Sequence, residues 1–176
     1  MGNSRVALSI DPSADELPTE RLRLGHDYWR SLRRGNGLPH RKDLNPSEIP
    51  ELLPWTNLVD VVWQGDSRRY RHRLLGTELV RYFRADTTGR WFDEVYTPAH
   101  LKRQLPAYER ATIDAVPNID SISIALSRAE RRNDLVYWRL ILPMTMDGER
   151  ADLLFLLFDA VTDDPLYEDR LPLHLD

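Results

Sequence analysis

The sequence predicts an α+β fold, in which a five-stranded antiparallel sheet has short helices on one face and an amphipathic helix on its N-terminal side. Three observations lead to this prediction. Apolar residues recur at helical spacing within residues 19–34, two β-rich runs flank a polar turn within residues 57–77, and three more β-rich runs lie between residues 121 and 160. Short helical patterns connect the two groups of strands.

Composition limits the classes of protein that the chain can represent. Its 176 residues, 41% of them apolar, are enough to bury one core but not two. A net charge of −4 gives no electrostatic reason to expect nucleic acid as the main partner. The chain has no cysteine, which excludes disulfides, thiolate nucleophiles and zinc–thiolate sites. Because no apolar run suits a signal peptide or a membrane span, we expect a cytoplasmic protein without membrane contact.

The N-terminal part of the chain is predicted to form an arm and a flanking helix. Residues 1–18 are polar and aperiodic, as in a mobile arm. Residues 19–36 contain a helix start at Thr19 and an apolar face around Trp29. Gly25 is expected to weaken this helix, because glycine costs about 1 kcal/mol relative to alanine in a helix interior.

Residues 37–56 are predicted to be proline-rich connecting turns. Asn45 can cap a short turn, and Glu48 lies three residues later, as in a capping box. Pro50 would lose an intrahelical hydrogen bond, so we expect a break there and a second turn that ends before Pro54. The segment is therefore interpreted as scaffolding that connects the flanking helix to the first strand.

Residues 57–77 are predicted to form a β-hairpin around the four-residue turn GDSR. In the expected register Asp60 lies opposite Arg73, and the two are interpreted as a structural ion pair on one face. The other face is aromatic and apolar, and it pairs Trp63 with Tyr70, Val61 with His72 and Val59 with Leu74.

Two helical patterns follow the hairpin. A short helix begins at Thr77, and a longer one has Thr97 as its cap and Pro98 at its first helical position. Pro106 is expected to bend or split the longer helix. The apolar stripe of this helix consists of Leu101, Leu105, Tyr108 and Ala115.

The last three β-rich runs complete the predicted sheet. The run SISIALS alternates, with Ile124 on its apolar face. A two-residue turn at 147–148 would pair Leu142 with Leu153, Leu140 with Phe155 and Trp138 with Leu157. The run LLFLLF is apolar on both faces, so we expect it at the centre of the sheet. The sheet domain would span residues 57–160, followed by a C-terminal tail over 161–176.

Several short motifs occur in order along the chain. They are LPHRKDLNPSEIPELLP at 38–54, VDVV at 59–62, RLLGT at 73–77, TTGRW at 87–91 and LILPM at 140–144. Over about residues 20–160 this set resembles the single-domain PAS-like family that is common in alphaproteobacteria. The resemblance implies a PAS-like sheet whose concave face holds a small molecule or only side chains. It also implies a signal that passes through a flanking helix or a dimer.

The resemblance implies a sensory or regulatory module rather than an enzyme. We expect homodimers that form through the N-terminal helix and the outer sheet face. We also expect a separate signalling protein as partner, because the tail after residue 160 is too short for an output domain. The sequence identifies neither a ligand nor a cofactor. Two alternatives stay open, an interaction domain with a filled core and an enzyme that acts on a small molecule.

Aromatic and apolar side chains on the predicted inner face are the candidate ligand contacts. They are Trp63, Tyr70, His72, Trp91, Tyr108, Ile124, Trp138 and Phe155. The alternative is a packed core without a cavity. His72 is interpreted either as a ligand contact or pH-sensitive switch, or as a hydrogen-bonded core histidine whose pKa burial would lower. His100 is expected to be solvated rather than to bind a haem.

The sequence nominates no catalytic or metal-binding residue. It has no GxSxG, HExxH or P-loop motif, and its histidines show no metal-ligand spacing. The arginines within residues 128–132 lie beside acidic residues, which favours a solvated hairpin tip over contact with nucleic acid.

Overall fold

A computed structural model of the chain describes residues 8–83, 85–124 and 135–160. Its strands are β1 Leu8–Ile10, β2 Thr56–Gln64, β3 Ser67–Leu75, β4 Asn118–Ile124, β5 Leu135–Met144 and β6 Leu153–Ala160. Its α-helices are α1 Glu20–Ser31, α2 Thr77–Phe83, α3 Phe92–Val95 and α4 Pro98–Ile113. The strands form one antiparallel sheet in the order β1-β4-β5-β6-β2-β3. The predicted α+β fold with an antiparallel sheet is confirmed.

The sheet separates two apolar layers. Its outer face shares a core cluster with α1 and the connecting turns, which includes Leu22, Trp29 and Leu157. Its inner face shares a second cluster with α2, α3 and α4, which includes Tyr108 and Ile141. No helix in the described part of the chain is long and apolar enough to cross a membrane.

A short sixth strand extends the sheet beyond the five that were predicted. β1 pairs with β4, and Ser9 lies opposite Ile119. Leu17 is buried in the outer cluster, and its carbonyl accepts a hydrogen bond from Arg23 Nε at 3.0 Å. Residues 8–17 therefore differ from the expected mobile arm. A three-residue strand is too short to show a period of two in the sequence.

The helix α1 lies across the outer face and is held near both ends. Trp29 Nε1 donates to the carbonyl of Pro143 at 2.8 Å, and Arg21 forms an ion pair with Asp159. The helix ends at Ser31, a few residues earlier than predicted. These contacts make α1 a layer of the fold.

Gly25 is a point of very close approach between α1 and β6. A Cβ atom at this position would lie 1.7 Å from Leu157 Cδ1 and 3.2 Å from Leu157 Cγ, and Leu157 is fully buried. The glycine that the sequence marked as a weak point is therefore required for packing. Its missing side chain lets the helix approach the sheet.

The connecting turns form short 3-10 helices, two of which are Pro46–Glu48 and Leu53–Trp55. Asn45 caps the first through its side chain, as predicted. The backbone N–H of Asn45 donates to Tyr28 Oη at 2.8 Å, so Glu48 binds the Asn45 side chain instead of closing the predicted capping box. The second 3-10 helix includes Pro54, although the sequence predicted that this turn would end before Pro54.

The β2–β3 hairpin turns over two residues, 65–66, instead of the predicted four. The register is therefore two residues away from the prediction, and Asp60 lies opposite Arg71. A shift of two residues keeps each side chain on its face, so His72 lies on the inner face as expected. The predicted contact between Asp60 and Arg73 still forms, because both arginines place a guanidinium nitrogen 2.8 Å from the Asp60 carboxylate.

A β-bulge interrupts the alternation of β3 near its end. The pairing with β2 shifts between Leu58 and Val59. As a result Leu74 is 44% exposed, and Leu75 faces the inner layer instead. The predicted inner position of Leu74 is therefore wrong.

The β5–β6 pairing also lies two residues from the predicted register. Leu142 faces Phe155, because residues 145–152 form a longer connection than the predicted turn at 147–148. β6 lies between β5 and β2, and residues 153–158 are all buried. The predicted central position of this strand is confirmed.

The sequence predicted a bend or a split at Pro106, and because α4 is continuous from Pro98 to Ile113 the split is not observed. Pro106 lies on the exposed side, where water can replace the missing backbone hydrogen bond. The cap is as predicted, because Thr97 Oγ1 accepts a hydrogen bond from His100 N at 3.3 Å. The buried side chains of the helix are Gln104, Ala107, Tyr108, Ala111 and Thr112. This stripe is rotated from the predicted one.

We expect Gly25→Ala to destabilise the protein by about 1–2 kcal/mol. Overpacking costs about 1–3 kcal/mol, and the separation of 1.7 Å places this substitution in the upper part of that range, at about 2–3 kcal/mol. The gain in helix propensity recovers about 1 kcal/mol of it. Urea denaturation measures the change. Because the added methyl group overlaps Leu157, the same substitution should cost less in a Leu157→Ala background. A Gly25→Ala protein as stable as the wild type would contradict this packing.

Candidate ligand-binding site

A cavity of about 360 Å³ lies between the inner face of the sheet and α2, α3 and α4. Protein cores contain few voids larger than a water molecule, which occupies about 30 Å³ in the liquid. The volume of the cavity is therefore roughly ten times that of one water molecule, which is too large for an ordinary packing defect. It lies within the size range of small-molecule pockets, about 300–1,000 Å³. The alternative of a filled core does not describe this inner face.

Apolar and aromatic side chains form most of the cavity wall. Aliphatic and phenylalanine side chains on this wall are Leu75, Leu79, Phe83, Phe92, Val95 and Phe158. Tyrosine rings at 96, 108 and 137 complete it. Phe83 meets Tyr137 edge to face with ring centroids 5.8 Å apart, as aromatic pairs prefer.

A buried ion pair supplies the charged part of the wall. Arg139 and Asp120 lie opposite each other on β5 and β4 and are 3% and 2% exposed. Arg139 Nε donates to Asp120 Oδ1 at 2.9 Å, and Arg139 Nη2 donates to the other carboxylate oxygen. Arg139 Nη1 also donates to Tyr108 Oη at 3.2 Å. The two opposite charges therefore lie side by side, and the pair is neutral as a unit.

His72 connects the sheet to the helical layer. Its ring nitrogens contact the Asn57 amide at 3.2 Å and Tyr96 Oη at 3.0 Å. The side chain is 2% exposed, and burial lowers its pKa to about 4. The imidazole is therefore neutral at pH 7. Of the two interpretations that the sequence allowed, the hydrogen-bonded core histidine fits these contacts. The same side chain also lines the cavity.

His100 also lines the cavity, although the sequence placed it in solvent. Its ring stacks on Tyr96 with centroids 4.7 Å apart and an angle of 19° between the ring planes. Burial lowers its pKa to about 4, and the positive charges of Arg103 and Arg139 act in the same direction. The neighbouring exposed basic residues concealed this position in the sequence.

Gln104 contributes a buried polar group to the wall. The side chain lines the cavity and is only 8% exposed, and its Oε1 has no hydrogen-bond partner in the described residues. A buried polar group without a partner costs about 1–3 kcal/mol. His100, Gln104 and Tyr108 follow one another at intervals of four on α4, so helical spacing could have grouped them.

The predicted ligand contacts are divided between several places. His72 and Tyr108 line the cavity. Tyr70 lies behind the wall, with its ring centroid 5.6 Å from that of Tyr108. Trp63 packs against the edge of the inner cluster, and Trp91 stacks against two arginine side chains outside the cavity.

Trp138 and Phe155 lie on the outer face, away from the cavity. Their predicted inner position is corrected, because β5 and β6 are apolar on both faces and give no alternation that assigns a face. The side chain of Ile124 falls outside the described residues. The sequence also missed Arg139 and Asp120, although a lone arginine within the apolar run LVYWRLILPM indicates a buried ion pair.

An antiparallel sheet that closes a cavity with short helices on one face defines a class of small sensory and interaction domains. Within that class, residues 18–157 match the family model of the PAS domain. The chain belongs to the PAS domain family, whose members are generally sensory or interaction modules rather than enzymes. Neither the curated proteins nor the solved structures contain a match to the chain. The alphaproteobacterial origin stays a prediction.

We expect the burial of His72 to make stability depend on pH. The folded pKa of about 4 lies below the ordinary 6.5, so the unfolded chain binds the proton first and stability falls as the pH drops through this window. Between pH 7 and pH 5 the wild type should lose about 2 kcal/mol more than His72→Gln. Urea denaturation at both pH values measures the difference. An equal loss in both proteins, or an imidazole that titrates above pH 6 by NMR, would contradict the assignment.

Proposed function

We propose that the protein is a sensory module that binds a small molecule in the inner-face cavity and signals through α1. The cavity, with the unpaired Gln104 amide in its wall, is the observation that carries this proposal. A pocket of this size, lined mostly by apolar side chains with a few polar groups, is typical of small-molecule sites. A ligand that fills the space and pairs with the Gln104 amide would stabilise the folded protein. The cytoplasmic location stays a prediction.

The strand β6 offers a direct physical connection between the cavity and α1. Phe158 lines the cavity on the inner face. The preceding residue, Leu157, packs against Gly25 on the outer face, and the following residue, Asp159, forms the ion pair with Arg21. A ligand that displaces Phe158 would therefore act on two contacts that hold the helix.

The solvent-facing side of α1 is the surface that we propose for a partner protein or a second copy. The sequence predicted dimers through the helix and the outer sheet face, but α1 and the connecting turns already cover much of that face. The helix leaves Leu24 42% exposed on its other side. Homodimers and a separate signalling partner stay predictions. Either one could bind at this surface.

The site gives less support to an enzyme. The ring nitrogens of His72 are bonded to Asn57 and Tyr96, and the Asp120 carboxylate is held by Arg139. A general base needs a proton acceptor that is free to reach a substrate. His100, whose ring stacks on Tyr96, is the wall residue that could act in this way, and no carboxylate in the wall of the described residues accompanies it. In the described residues no group of three or more histidine, aspartate or glutamate side chains could hold a metal ion.

We expect the protein purified from cells under native conditions to carry a bound small molecule. Native mass spectrometry of the intact protein would detect the added mass. Val95→Trp, which places a large ring in the cavity, should lose it. Val62→Trp is the matched control, because Val62 lies on the opposite side of β2. Wild-type protein without added mass, and without a thermal shift in a metabolite extract, would overturn the proposed function.

We also expect removal of the bound molecule to loosen α1. The protein can be stripped by dialysis from urea, refolded and compared with protein as purified by hydrogen–deuterium exchange. Amides of α1 should exchange faster after stripping, whereas those of β1 at the far edge of the sheet should change little. A change confined to α2, α3 and α4 would contradict transmission through β6.

A further inference from the structure

The charges around the cavity cancel within the described residues. Arg139 is the charged side chain of the wall there, and Asp120 neutralises it through a bidentate contact. His72 and His100 are neutral at pH 7, since each pKa is about 4. An anion would have to leave water without meeting an uncompensated positive charge, and a cation would meet no free carboxylate. The cavity therefore favours an uncharged ligand.

The hydrogen-bonding groups of the wall favour a ligand that both donates and accepts. The terminal amide of Gln104 carries one acceptor and two donors, and its Oε1 is buried without a partner. A ligand group with a donor next to an acceptor, such as an amide or lactam edge, matches that amide whichever way it is turned. His100 lies one helical turn before Gln104 and also lines the cavity, so it can offer the ligand a second contact from the same side of α4.

The shape of the wall favours a flat ring. Six aromatic rings of phenylalanine and tyrosine line the cavity in addition to the imidazoles. The stacked pair of Tyr96 and His100 presents nearly parallel planes. Ring compounds bind such walls through stacked and edge-to-face contacts, which flexible aliphatic chains do not make.

We infer that the ligand is an uncharged, flat ring compound with an amide or lactam edge, and that Gln104 selects for this edge. The inference rests on the proposed sensory function and specifies the chemistry of its ligand. It assigns to the Gln104 amide a direct hydrogen bond with the ligand, in addition to the packing of its side chain in the wall.

Three indole compounds of similar size test the charge preference. Indole-3-acetamide is uncharged at pH 7, indole-3-acetate is an anion and tryptamine is a cation. Isothermal titration calorimetry with stripped full-length protein should show the acetamide binding at least about tenfold more tightly than the other two. The inference is overturned if the acetate or the amine binds as tightly, or if no member of the series binds at millimolar concentration.

Two substitutions test the assigned residues. Asp120→Asn keeps the shape but leaves Arg139 uncompensated, so it should shift the preference from the acetamide to the acetate. Gln104→Leu should weaken acetamide binding about tenfold, whereas Gln64→Leu, at an exposed position on β2, should leave it unchanged. An unchanged affinity in Gln104→Leu would overturn the role of Gln104, even if Asp120→Asn does not fold.

The two proposals fail in distinguishable ways. A cell-derived molecule that the wild type retains and Val95→Trp loses, together with no preference among the indoles, leaves the sensory function standing and overturns the ligand class. No retained molecule and no binding in the series overturns both.

Discussion

The burial of β6 on both faces is the constraint on which the other layers depend. Residues 153–158 are apolar without interruption, and each is buried. Such a strand needs cover on two sides, and a face left open would expose a large apolar patch. The helix α1 and the connecting turns supply the outer cover, while α2, α3 and α4 supply the inner one. The match to the PAS domain begins at residue 18, just before α1, which fits a helix that belongs to the core.

The inner cover differs from the outer one because it leaves a cavity beside a buried ion pair. Removing Arg139 and Asp120 from water costs several kcal/mol for each ion, and their mutual attraction offsets this cost only with good geometry. Two hydrogen bonds to the carboxylate and one to Tyr108 provide that geometry. Apolar side chains of similar volume would serve stability as well. The buried pair is therefore weak evidence for stability, and its position beside the cavity is consistent with the ligand binding that we propose.

Sequence reasoning located most of the elements, although not β1, and it did not always assign their faces or register. In the β2–β3 hairpin the alternation was strong, so a register error of two residues still left His72 on the inner face. In β5 and β6 both faces are apolar, and Trp138 was assigned to the wrong one. On α4 the polar side chains of His100 and Gln104 interrupt the apolar period, because they face a cavity instead of a packed core. Positions that break a local pattern are expected at functional sites, and a search for apolar contacts passes over them.

The closeness of α1 to β6 determines how a binding event could be transmitted. At Gly25 the helix backbone approaches Leu157 so closely that one additional carbon atom would overlap its side chain. Packed interfaces of this kind change between discrete arrangements rather than deforming continuously. A ligand can shift such an equilibrium only by the difference between its affinities for the two arrangements. In the proposed mechanism the ligand must therefore contact a group whose position differs between them, and Phe158, one residue from the contact with Gly25, is our candidate for that group on the cavity side.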